Sequence, residues 1–207
     1  MTRENHEITR ADLMAMQAYA DIRKEKRAEV SAIKQDRRVG VGPFATFYFE
    51  NYDTMWIQIH EMLFIEKGGE AQIDDELTAY NPLIPKGKEL VATLMFEIPN
   101  AEQRDRELRR LTNVEHTVTL KVGDAVVPAV PETDVERTKA DGKTSSVHFI
   151  KFPMTADQIA AFKDDAVPAV LQIDHEHYGH MAVIPAAARA ALQSDLELAP
   201  DLLCALP

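Results

Sequence analysis

The chain has 207 residues, a formal net charge of −11 and one cysteine, Cys204. A lone cysteine excludes an intrachain disulfide and any zinc or iron–sulfur site made wholly from cysteines of this chain. The negative balance argues against nucleic-acid binding by the surface as a whole, and a 45% hydrophobic, 28% charged composition is that of a globular chain able to bury a core.

The N-terminal segment MTRENHEITRADL is polar and lacks the apolar core of a signal peptide. No apolar run approaches the roughly 18 residues that a membrane helix needs, so the expected setting is cytoplasmic, with no membrane partner. Residues 9–38 predict a helix capped by Thr9, with Leu13, Met14, Met16, Tyr19, Ile22, Val30 and Ile33 on its apolar side. Between Asp21 and Arg38 it carries seven Lys/Arg and four Asp/Glu. Such a stretch is either a docking surface for an acidic partner or nucleic acid, or a solvated face with internal pairs such as Lys26–Glu29.

VGVGPF (39–44) reads as a turn and FATFYF (44–49) as a strand. A helix of about four turns follows from Asn51 and stops at Gly68 and Gly69. A second helix over 71–80, a proline-broken loop over 81–87 and a buried strand over 89–98 come next. Asn100 caps a charged helix. Residues 115–122 and 125–130 predict a hairpin turning at Gly123-Asp124, and 131–144 a polar loop. A strand over 145–152, a helix capped by Thr155, a hairpin from 169–173 and 180–184, and a final helix opened by Pro185 complete the pattern.

The connections after residue 113 are mainly too short for parallel crossovers. The fold class expected is therefore α+β, a mostly antiparallel sheet with N-terminal and interspersed helices. The expected organisation is one domain over 1–207, with an N-terminal helical segment at 1–40 and a loosely ordered tail at 198–207.

The 49–69 stretch concentrates unusual residues, including the only tryptophan, Trp56. On a helical wheel of about 100° per residue, Glu50, Thr54, Gln58 and Glu61 form one narrow polar stripe. Nine of the sixteen residues over 51–66 are apolar, so the helix should be mostly buried. The stripe then either lines a cleft, with Glu50 and Glu61 binding a metal or acting on a substrate, or its carboxylates pair with arginines such as those of the first helix. Trp56 and the methionines are read as core.

His116 and His148 fall in predicted strands, and DHEHYGH places Asp174, His175, Glu176, His177 and His180 within seven residues. Imidazole and carboxylate are the ligand set of zinc or non-haem iron, and a triad can be drawn from His116, His148, Asp174, His175 and His180. The spacing is equally that of a solvated, histidine-rich turn. There is no GxSxG, GxGxxG, P-loop, CxxC or HExxH motif.

The stretches FENYDTMWIQIHEMLFIEKGGEAQIDDELTAYNPLIPKGKELVATLMFEI, VEHTVTLKVGDAVVPAVPETDVERTKADGKTSSVHFIKFPMTADQIAAF and IDHEHYGHMAVIP resemble a bacterial family known only as domain of unknown function 3501. The likeness covers nearly the whole chain. The family pattern usually has glutamine where this chain has His60, and often proline near Glu176. Members are encoded beside a rubrerythrin-like protein and an iron–sulfur protein similar to heterodisulfide reductase subunits. The resemblance thus implies a non-catalytic accessory or interaction protein of a rubrerythrin/iron–sulfur redox or peroxide-stress system. The alternative is an iron- or zinc-binding enzyme of unknown substrate that uses buried His and Glu residues.

Overall fold

In the computed structural model the described residues are 6–132, 138 and 141–197. Helix α1 (Met16–Gln35) leads into a hairpin of β1 (Arg38–Val41) and β2 (Ala45–Phe49). Helices α2 (Tyr52–Glu66) and α3 (Glu70–Tyr80) follow, then β3 (Glu89–Phe96) and α4 (Ala101–Arg110). A second hairpin, β4 (Val118–Val122) and β5 (Ala125–Pro128), precedes the short β6 (Val130–Pro131) and β7 (Val147–Pro153). Helix α5 (Ala156–Lys163), the hairpin of β8 (Ala169–His175) and β9 (Tyr178–Val183), and α6 (Ala186–Gln193) close the order. The chain is α+β, as its pattern predicts. The tail at 198–207 lies outside the described residues, as does half of the 131–144 loop.

The strands form two antiparallel sheets, one ordered β1-β2-β3-β7-β6 and the other β5-β4-β8-β9. The central strand β3, ELVATLMF, is buried on both faces, which is why its sequence is nearly continuous apolar residues rather than an alternation. Leu90, Leu94 and Phe96 point to the second sheet and join Phe47, Phe152, Leu120 and Leu171 in one core. Val91, on the other face, joins Met55, Ile59 and Leu63 of α2 and Ile8 near the N-terminus in a second core. The result is three layers: helices, the five-stranded sheet, and the four-stranded sheet.

Two expectations are corrected. The helix predicted from Thr9 is interrupted. Residues Arg10–Asp12 make one 3₁₀ turn, and α1 begins at Met16. The break has a cause: Trp56 Nε1 donates to the Asp12 carbonyl (3.0 Å) and the Met14 N–H donates to His60 Nε2 (3.1 Å), which removes backbone groups from a continuous helical ladder. The segment 1–40 is also not helical to its end. Arg38, expected to end the first helix, and residues 39–41, expected in a turn, pair in antiparallel register with β2 from Arg38↔Tyr48 to Val41↔Ala45. The strand's burial alternates, but four residues with a glycine among them are too few to tell from a turn by pattern.

The β1–β2 turn is locked to the second sheet. Gly42 has φ +73°, and a Cβ there would lie 2.6 Å from the His180 ring, so only glycine fits. Beside it, the Tyr178 hydroxyl donates to the Val41 carbonyl (2.8 Å) and accepts from the N–H groups of Phe44 (2.8 Å) and Ala45 (2.9 Å). Its one proton and both lone pairs are used. At the chain's C-terminal side, buried Arg189 donates to the carbonyls of Ala161, Phe162 and Asp164, capping α5. Replacing Tyr178 with Phe leaves two amides and a carbonyl of the turn without this partner. The Tyr178→Phe variant should lose about 1–3 kcal/mol in urea unfolding with an unchanged m-value.

Candidate functional site

Helix α2 enters through Asn51, whose Oδ1 accepts the Thr54 N–H (3.0 Å) while the Asn51 N–H donates to Thr54 Oγ1 (2.9 Å). This reciprocal cap fixes where the polar stripe begins. At the other end the helix stops on Lys67, which takes the left-handed conformation (φ +57°) one residue before the glycines expected to end it.

The stripe divides in two. Glu50, only 5% exposed, faces the five-stranded sheet. Thr93 Oγ1 donates to its Oε1 (2.7 Å) and Thr54 Oγ1 to its Oε2 (2.7 Å). The carboxylate also sits at the N-terminal end of α2, where the helix dipole favours negative charge. Glu61 faces α1 instead. Arg23 grips it with two hydrogen bonds of 2.8 Å, Nε to Oε1 and Nη2 to Oε2, and the Tyr19 hydroxyl donates to Oε1 (2.7 Å). Arg27 stands 3.8 Å from Oε2. The Arg23 guanidinium, with the Tyr19 hydroxyl, holds Glu61 below the usual carboxylate range. Burial first, and the bond to Glu61 second, raise the Tyr19 phenol. Gln58 lies between, its Nε2 donating to the Tyr80 hydroxyl (3.4 Å).

Residues of α1 and α2 border a groove of about 510 Å³ that includes Gln58 and Glu61. Arg27, Lys34 and Arg38 line one side, and Ile57, Met62 and Ile65 the other.

The histidine set is distributed. His116 is not in a strand. It lies exposed in the 3₁₀ turn Val114–Thr117, which starts from Asn113 at φ +59°. This turn supplies the chain reversal into β4 that a straight strand over 115–122 could not. His148 is fully buried in β7 with Nε2 2.9 Å from the Ser145 carbonyl and Nδ1 3.7 Å from Glu115 Oε2. His175 Nε2 is 3.1 Å from the Thr112 carbonyl. Asp174 and His180 are exposed on β8 and β9, with His180 over Gly42. Among the described residues no three His, Cys, Asp or Glu side chains come together as a metal-ligand group. Iron or zinc is therefore offered one buried pair, Glu115 and His148, where such centres take three or four protein donors.

Several residues that matter here stand outside the predicted set. Thr93 is the one polar residue inside the apolar run of β3, which is its only sequence signal. Tyr19 and Arg23 lie in the basic helix, one helical turn apart. His60 is fully buried, its ring 3.8 Å from that of Trp56. Nδ1 lies 2.7 Å from the Trp56 carbonyl, so with Nε2 accepting from Met14 the imidazole is neutral and protonated on Nδ1.

The family described as a protein of unknown function (DUF3501) matches residues 7–196. The chain belongs to this family. A crystal structure described as a novel protein of unknown function from Burkholderia pseudomallei K96243 is 40% identical, covers 95% of this chain and 100% of its own, and has a TM-score of 0.85. No curated protein matches the chain. Among the described residues, no helix is long and apolar enough to cross a membrane.

Burial holds the His60 imidazole below its ordinary value of 6.5. Its contribution to stability is thus full above that value and is lost as the pH falls through the lower, folded value. Glu61 behaves in the same sense, but its loss begins only below 4.5. His60→Gln, which supplies a donor for Trp56 and an acceptor for Met14, should reduce the loss of stability between about pH 7.5 and about pH 5. Urea midpoints of the native chain and the variant at the two pH values measure the difference.

Proposed function

We propose that the protein is a non-catalytic accessory protein that binds partners in a cytoplasmic rubrerythrin/iron–sulfur redox or peroxide-stress system. One observation carries the accessory role. All four carboxylate oxygens of the polar stripe are already engaged by the protein, Glu50 by Thr54 and Thr93, Glu61 by Arg23 and Tyr19. Each oxygen keeps further lone-pair capacity, but these bonds, each to a charged group and so worth about 1.5–3 kcal/mol, hold both carboxylates as partners of the protein's own groups. Glu50 so held ties α2 to the sheet inside the protein and Glu61 ties α2 to α1 at the groove, which pre-organises that face for recognition. The redox setting comes from the family resemblance. Tagged protein should retain a rubrerythrin-like or iron–sulfur protein of the kind encoded beside family members at micromolar concentration. Absence of any complex with either overturns the redox setting.

The alternative, an iron- or zinc-dependent enzyme, has in support the buried pair of Glu115 and His148 among the described residues. Protein purified without chelator should hold far less than stoichiometric iron or zinc, and added Fe(II) or Zn(II) should leave the thermal midpoint unchanged. A tightly held equivalent of either metal by elemental analysis would replace the accessory role with the enzymatic one.

A further inference from the structure

We infer that the groove between α1 and α2 docks an acidic, amphipathic helical segment of a partner protein. This rests on the accessory role above and gives it an address and a chemistry.

The groove has two unlike walls. On α1, Arg27, Ser31 and Lys34 recur at spacings of four and three residues, which puts them on one side of the helix. Arg38, at the start of β1, continues the line. Among the described residues, Lys34 and Arg38 have no acidic partner within ion-pair distance. Arg27 reaches only Glu61, whose two oxygens Arg23 already holds. The groove therefore presents three cations against a single carboxylate that is itself neutralised. This positive charge belongs to a chain whose net charge is −11, so it is local and not a property of the whole surface.

The facing wall is apolar. Ile57, Met62 and Ile65 come from α2, and Ile65 is 62% exposed although it sits beside this cationic line. Val30 closes the floor. A large aliphatic side chain left in water next to unpaired cations is complementary to a segment with carboxylates on one edge and aliphatic residues on the next. A helix presents such edges at i, i+3, i+4 and i+7. Arg27 and Lys34 are about 10 Å apart along the α1 axis, the rise of roughly two turns, so two carboxylates seven residues apart on a partner helix match them.

Nucleic acid fits less well. Its backbone would use the cations but not the aliphatic wall. Tyr48 is the one aromatic residue that lines the groove, where single strands use a series of stacking platforms.

A random peptide library displayed on phage, selected against the full chain, tests the assignment. Enriched sequences should combine Asp or Glu with Leu, Ile or Phe at helical spacing. They should bind a Lys34→Glu/Arg38→Glu double variant at least about tenfold more weakly than the native chain, and weaken as salt is raised. Ile65→Ser should also weaken them, which a purely electrostatic site would not require. All the substituted side chains are at least partly exposed, and matching urea curves for native and variant chains establish that the fold is intact.

Failure to enrich acidic sequences, or equal binding to the double variant, overturns the docking site. Single-stranded DNA bound as tightly as the peptides and lost in the double variant replaces it with a nucleic-acid site. Dimerisation in sedimentation that the double variant abolishes replaces the partner with a second copy. The two levels fail separately. If the double variant still captures the rubrerythrin-like or iron–sulfur protein as the native chain does, the groove is not the docking site for that partner and the accessory role stands. If the native chain captures neither, the redox setting falls while the peptide selection still decides the groove.

Discussion

One buried guanidinium holds the corner on which the helical layer depends. Arg37 is 3% exposed and lies just after α1. It donates to the carbonyls of Phe49 (3.1 Å) and Glu50 (3.2 Å), where β2 turns into α2, to the Ala191 carbonyl of α6 (3.2 Å), and to the Asp195 carboxylate. Its backbone carbonyl accepts the Phe49 N–H (2.8 Å). A charge is costly to bury, and here its donors are met by three carbonyls and a carboxylate. The Phe49 and Glu50 carbonyls are those the chain exposes on leaving the sheet, and the Ala191 carbonyl lies in the last turn of α6. A lysine could not replace the planar fork that reaches them together. Because Glu50 and Asn51 follow directly, this corner sets the rotation of α2 and so decides which side of the helix faces the sheet and which faces α1.

That rotation explains why one polar stripe on a helical wheel becomes two separate environments. Glu50 ends in the interior, held by two threonine hydroxyls, one of them from β3. Glu61, three turns on, meets Tyr19 and Arg23 of α1. Neither carboxylate is idle, and their tasks differ: the first joins helix to sheet, the second joins helix to helix. What is left over at the α1–α2 face is positive charge and aliphatic surface. In a chain of strongly negative balance, that remainder is the part of the surface least explained by solubility alone.

The local signals were the legible ones. Asn51, Asn100 and Thr155 cap helices where their side chains suggest, because capping is decided within a few residues. The continuous apolar run of β3 shows a strand covered on both faces. The pairing of Glu61 with an arginine of the first helix follows from the cost of burying a charge, although the choice of Arg23 over its neighbours does not. Other features were hidden because they depend on distant chain. Thr93 reaches Glu50 across 43 residues, and Tyr178 reaches Val41 across 137. The break in the first helix is made by Trp56 and His60, which have no mark in residues 9–15. The histidines looked convergent because sequence closeness at the 174–180 hairpin was read together with strand positions. In the sheets, alternation sends His148 inward and His180 outward, and His116 leaves the strand for a turn.

The packing of Trp56 has an optical consequence. It is the chain's sole tryptophan, its indole N–H is bonded to the Asp12 carbonyl, and its ring lies against the His60 imidazole. The first contact joins residues 9–14 to α2, and the second lies within α2 on the imidazole that accepts the Met14 N–H. Intrinsic fluorescence of the unmodified chain is therefore a local signal rather than an average over the molecule. It registers whether the N-terminal strap is seated on α2, and protonation of one imidazole beside it, without any dye or engineered probe.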